Sequence, residues 1–192
     1  MKILWNDCET TGLDEAYHEV IQITAIVEDD GKFIDAIDLK IRPNHPDRFS
    51  EEAMEKTGLT IDQIMQWPTR EDQFKKLIAF LDKHVDKFDK EDKMTMAGYH
   101  NLFDQKFIRA YFKEQGHKYF GSYIEFEVID VMVIAMLLRK LGALDIPNLK
   151  LRTVAAAVGI NFDEAQAHNA IYDVKQTIAA FYKMEKMFEL KE

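Results

Sequence analysis

The sequence predicts an α/β domain in which a mixed sheet is flanked by helices. Strand patterns come first along the chain, and alternating helical and strand patterns follow. The apolar content is high enough for a full core: 47% of the 192 residues are apolar and 31% are charged. These proportions suit a single globular domain over residues 1–192.

Each element follows from local pattern. Residues 2–7, 20–28 and 32–41 read as strands, the last two joined by a turn at Asp29-Asp30-Gly31. Ser50 and Thr60 are N-caps of short helices, and Thr60 with Gln63 forms a capping box. Pro68 precedes a longer helix over 70–88, and the mixed-sign run 83–93 reads as its solvated end and a loop. Residues 94–99 form a short buried strand and 123–129 another. Helices fit 102–115, 131–141, 149–158 and 169–188, with Asp130 as an N-cap. There is no internal repeat and no low-complexity tract.

Composition excludes several classes. No apolar run approaches membrane-spanning length, and the opening MKILWNDCET lacks the layout of a signal peptide. Cys8 is the single cysteine, so no intrachain disulfide can form, which fits a reducing, cytoplasmic compartment. The formal charge is −9, from 34 acidic and 25 basic residues. That balance tells against coating long stretches of nucleic acid, which takes many Lys and Arg contacts to phosphate. It leaves room for an enzyme that grips a strand end and brings its positive charge as bound metal.

Three segments carry chemistry. In the first strand side chains alternate, so Ile3, Trp5, Asp7 and Glu9 share a face and Cys8 points to the other as a small core residue. Asp7 and Glu9 then sit together at the strand's C-terminal end, where ligands bind in open α/β sheets. Thr10-Thr11-Gly12-Leu13 turns the chain, and glycine there permits close backbone approach. In AGYHNLFDQKFI, Asp104 shares the inward helix face with Phe107, Ile108 and Tyr111, so its carboxylate needs a partner. Asn101 can cap that helix, leaving Asp104 free, and is also a candidate substrate contact. In AHNAIYDVKQT, His168 and Asp173 are five residues apart, roughly 140° on a regular helix. They converge only if His168 precedes the helix and Asp173 projects from its first turns, at the margin of a stripe formed by Ile171, Val174, Ile178 and Phe181.

DCETTGL, HNLFD and the His168–Asp173 pair, in this order, resemble the DEDDh exonucleases, which include the proofreading epsilon subunit of bacterial replicative polymerase. IQITAIVEDDGKF, KTGLT and NLKLRTVAAAVGI extend the resemblance over nearly the whole chain. The resemblance implies a ribonuclease H-like fold with a central mixed five-stranded sheet, and hydrolysis of a 3′ end to nucleoside monophosphates. It maps Asp7, Glu9, Asp104 and Asp173 onto metal-site carboxylates and His168 onto the general base. It also implies that backbone from Thr10 to Leu13 meets the terminal nucleotide and that Leu59 packs on its base. Thr57 stands where proofreading members often carry histidine. Asn169 stands where a sister subclass has tyrosine.

The chemistry of the residues agrees. Four carboxylates in one cleft repel, by about 4 kcal/mol for a pair at ~4 Å and an effective dielectric near 20, a large part of a domain's stability. Oxygen-only ligands favour Mg²⁺ or Mn²⁺. The expectation is a two-metal hydrolase: Asp7 between two cations, Glu9 and Asp173 on one, Asp104 supporting the other, and His168 taking a proton from the attacking water. Lys106, Arg109 and Lys113, at helical spacing, are either a solvated face or a track for phosphates. DNA is the expected partner, with RNA, a catalytically silent binding module and a divalent-ion binder as alternatives. A polymerase partner is left open, since no tethering tail follows the last predicted helix.

Overall fold

The computed structural model describes residues 1–161, 163 and 170–189. Three strands come first: β1 (Lys2–Thr10), β2 (Val20–Asp29) and β3 (Lys32–Lys40). Three helices follow, α1 (Glu51–Thr57), α2 (Ile61–Ile64) and α3 (Arg70–His84). Then come β4 (Met94–Gly98), α4 (Asn101–Glu114), β5 (Ile124–Asp130), α5 (Val131–Lys140), α6 (Leu151–Ala157) and α7 (Ala170–Glu189). The strands form one five-stranded sheet in the order β3-β2-β1-β4-β5. β1, β2 and β3 pair antiparallel, whereas β4 and β5 extend the sheet parallel to β1. This is the mixed, ribonuclease H-like sheet that the motif resemblance implies.

Local chemistry explains the elements. Asp30 and Gly31 both take positive φ, 46° and 77°, which closes the two-residue turn between β2 and β3. Thr60 and Gln63 make both bonds of the capping box, and Ser50 accepts from Ala53 N–H at the start of α1. Asp130 caps α5 by accepting from Met132 and Val133.

α3 stops at His84, four residues short of the expected end. Lys2 Nζ donates to the His84 carbonyl at 2.8 Å, and Val85 turns extended to bury its side chain, leaving Phe88 in solvent. The cap of α4 is His100, not Asn101. His100 sits in the left-handed region (φ 64°), and Asn101 is the first helical residue.

The sheet separates two cores. Leu4, Cys8, Ile23 and Met96 pack against α3 and α4 through Phe74, Leu81, Phe107 and Phe112. Ile3, Trp5 and Ala97 pack on the other face against α5, α6 and α7 through Val131, Val154, Val174 and Ile178. α7 is pinned to the sheet by polar contacts as well. Glu28, 2% exposed, accepts from Trp5 Nε1 at 2.8 Å and from Tyr182 OH. Removing that hydroxyl strips a charged acceptor of one donor. Tyr182→Phe is expected to cost about 1.5–3 kcal/mol, read from the urea midpoint. An unchanged midpoint would remove the Glu28 link from the account of how α7 is held.

Candidate active site

The site forms where β1 ends. Asp7 pairs with Thr24 of β2 and Glu9 with Gln22. The register then slips between Glu9 and Thr10, and the chain leaves the sheet after Thr10, one residue beyond the two acids. Both project on the Ile3–Trp5 face, toward the layer that contains α7.

Asp104 arrives from the opposite layer. It is 3% exposed, on the same inward face of α4 as Phe107, Ile108 and Tyr111. Its partner is the Cys8 backbone N–H, which donates to Oδ1 at 2.8 Å. Close approach of α4 to β1 is set by Gly98, where a Cβ would lie 2.4 Å from Asn101 Nδ2 and 2.6 Å from the Asn6 carbonyl oxygen. Asn101 is fully buried and donates to Asn6 Oδ1 at 3.0 Å. As a substrate contact it is therefore misplaced: its amide faces inward and braces α4 against β1. Asp173 lies in the first turns of α7, partly exposed beside buried Val174. His168 lies outside the described residues.

Electrostatics links the acids in pairs: Asp7 with Glu9, Asp173 and Asp104, and Glu9 with Asp173. Burial, Glu9 and Asp173 push Asp7 up to about 8. Burial and Asp173 raise Glu9 to about 7, while Lys56 pulls it back. Burial and Asp7 hold Asp104 well above the usual carboxylate range, against the Cys8 N–H that lowers it. Among the described residues no three His, Cys, Asp or Glu side chains are drawn tightly enough to grip an ion together. They are close enough to resist one another's ionisation. Their donor set is all oxygen, and a divalent cation would relieve the charge that burial makes costly, so the residues fit Mg²⁺ or Mn²⁺.

The turn after β1 is held from below. Thr11 is buried, exchanges backbone and side-chain bonds with Glu19, and accepts from Ser50 N–H through its carbonyl. Thr10 Oγ1 donates to the Gly12 carbonyl at 2.7 Å. Leu13 is 70% exposed. A cleft of about 280 Å³ opens here, lined by Glu9, Gly12, Leu13, Lys56, His100 and Phe103 among others. Leu59 is not in that lining; it is half-buried after α1, its N–H taken by Thr57 Oγ1. Lys56, His100 and Phe103 were not anticipated as cleft residues. The signals were weak ones: Lys56 opens KTGLT, and His100 and Phe103 flank Asn101 and Leu102 within HNLFD.

The RNase_T family, described as exonuclease, matches residues 4–181. The chain belongs to that exonuclease family, which agrees with the enzyme class its motifs imply, a phosphodiester hydrolase. Curated relatives include the DNA polymerase III PolC-type proteins of Bacillus cereus, 29% identical over 94% of this chain, and of Lacticaseibacillus paracasei, 29% over 94%. The chain spans about 11% of either relative's length. Among solved structures, the zinc-bound exonuclease I–single-stranded DNA complex of E. coli superposes with a TM-score of 0.77 at 21% identity, covering 99% of this chain and 41% of that one. Exonuclease I of Methylocaldum szegediense gives the same TM-score, identity and shares. These likenesses establish the fold.

Two outcomes follow from the geometry. Relative to ordinary carboxyl values of 3.8 and 4.5, the folded chain keeps protons on Asp7 and Glu9 up to about 8 and 7. Across that window the unfolded chain binds fewer protons, so this contribution to stability is complete at low pH and is lost as pH rises through the folded values. In chelator, Asp7→Asn is expected to melt at nearly the wild-type temperature at about pH 5 and above it at about pH 9. A gap that does not widen with pH would mean that Asp7 carries no such burden. Separately, a Cβ at Gly12 would lie 2.3 Å from the His18 ring. Gly12→Ala is expected to lower exonuclease kcat/KM by ~10–100-fold through misplacement of the turn, with His18→Ala in the same chain restoring part of the loss.

Proposed function

We propose that this chain, acting as one exonuclease domain, hydrolyses phosphodiester bonds at a 3′ end of DNA, single strands favoured, and releases nucleoside 5′-monophosphates. The observation that carries the reading is the gathering of acids at the end of β1: burial and a neighbouring carboxylate make Asp7, Glu9 and Asp104 harder to ionise, and Asp173 is among the charges that act on Asp7 and Glu9. Exonuclease family membership supports the reaction. The polymerase relatives, named for DNA, and the exonuclease I structures, one with single-stranded DNA and one with a dT13 oligonucleotide, support the substrate.

Asp7, Glu9, Asp104 and Asp173 would hold two divalent cations, Mg²⁺ or Mn²⁺. Bound there, the cations would supply Lewis acidity for the attacking water and for the leaving 3′ oxygen. The chain's own residues do the remainder. Backbone of Thr10 to Leu13 seats the terminal nucleotide in the cleft beside Glu9, and exposed Leu13 offers an apolar surface to its base. His168, assigned from its motif, takes the proton of the water, a task suited to a group that titrates near neutrality. Buried, unpaired Cys8 fits work in a reducing, cytoplasmic setting.

The test is a time course on 3′-labelled single-stranded DNA, duplex DNA and RNA with Mg²⁺, Mn²⁺ or chelator. Mononucleotides should appear fastest from single-stranded DNA and not at all in chelator. Asp7→Ala should abolish turnover while keeping a folded circular-dichroism spectrum. His168→Ala should lower kcat by ~10²–10⁴-fold. Cleavage at internal positions, or release that ignores chelator, would overturn the proposal.

A further inference from the structure

Beside the carboxylate cleft lies a larger one, about 650 Å³, lined by Tyr17, His18, Arg48, Lys106, Arg109 and Lys113 among others. The two share a wall. Gly12 lines the first, His18 lines the second, and the His18 ring fills the space above Gly12. The two clefts are thus neighbours around the turn that follows Glu9.

The cleft is basic in a protein of net charge −9. Its acids are mostly neutralised at the floor. Arg70, 3% exposed, makes a two-pronged bond to Glu114, approaches Glu19 at 3.6 Å and donates to the Val20 carbonyl. Glu19 also accepts from Asn44 and His45 N–H. The cations at the rim are not spent in this way. Among the described residues none of Arg48, Lys106, Arg109 or Lys113 is in an ion pair. Lys106, Arg109 and Lys113 are exposed on one face of α4, with Cα rises of ~4.5 and ~6 Å between them. Arg48 stacks over the ring of Tyr17 at 4.9 Å, and that ring is 51% exposed. Cations in a row beside a half-exposed aromatic residue are what a flexible polyanion with stackable bases requires.

We infer that this cleft binds the sugar–phosphate backbone of a single strand upstream of the scissile bond, with Lys106, Arg109 and Lys113 on phosphates and Tyr17 with Arg48 under a base. The inference rests on the proposed exonuclease reading, and it adds that the enzyme is length-selective: several nucleotides behind the end contribute to binding. The basic patch is short, so it holds a strand end without coating a long polymer.

The test compares wild type with Lys106→Gln/Arg109→Gln/Lys113→Gln. A charge-matched control, Lys32→Gln/Lys76→Gln/Lys90→Gln, changes exposed lysines outside the cleft. The ratio of kcat/KM for a single-stranded 12-mer to that for a dinucleotide is expected to fall at least tenfold in the cleft variant, through KM, and to stay at wild-type level in the control. In a second arm, anisotropy of a 5′-labelled 12-mer in chelator reads binding without turnover. There the cleft variant should bind at least tenfold more weakly. The slope of log affinity against log salt should shrink by about 2, near 0.7 for each of three lost phosphate contacts. A length ratio and salt slope unchanged in the cleft variant, or lowered equally in the control, overturn the inference. If wild type hydrolyses neither substrate, the exonuclease reading fails, and the binding arm still decides the cleft.

Discussion

The hydrogen bond from Cys8 N–H to Asp104 joins the two layers of the molecule at the point where its chemistry gathers. Asp104 belongs to a helix packed on one face of the sheet, and Asp7 and Glu9 project from the other. The carboxylate reaches round the end of β1 and takes a backbone donor there. Gly98 and the Asn6–Asn101 pair allow α4 to come close enough for that reach. α7 completes the arrangement from the far layer, its C-terminal half tied to the sheet through Tyr182 and Glu28. Loosening either helix would draw the acids apart.

Drawing like charges into a buried place works against stability. Asp7, Glu9 and Asp104 all have raised proton affinity, with burial the leading cause in each. The domain tolerates this because the strain is confined to the end of one strand, while continuous apolar packing on both faces of the sheet holds the remainder. Affinity for the proposed cations and reduced intrinsic stability would then have a common source. Acids that repel each other in the protein alone are the ones a small divalent cation binds best.

Charge is distributed with similar economy. The protein is acidic overall, which keeps it from adhering along nucleic acid at random. Its rim cations are concentrated beside the carboxylate cleft, and the acids under them are occupied by Arg70. On the inferred binding mode, attraction for a polyanion would be restricted to the route that leads to the reacting end.

The sequence by itself determined the element order, the turn at Asp30-Gly31, the capping box at Thr60 and the acid-bearing motifs, because each rests on contacts within a few residues. The alternation in β1 put Asp7 and Glu9 on one face, and the helical period put Asp104 on the buried face of α4. Only the tertiary structure decided how these acids meet, that α3 ends at His84 because Lys2 takes its last carbonyl, and that Asn101 faces Asn6 instead of a substrate. It also decided that His18 stands over Gly12 and that Lys56, His100 and Phe103 line the cleft. Those facts depend on partners up to ~100 positions away along the chain, and local pattern carries no information about a contact whose other half lies in a distant segment.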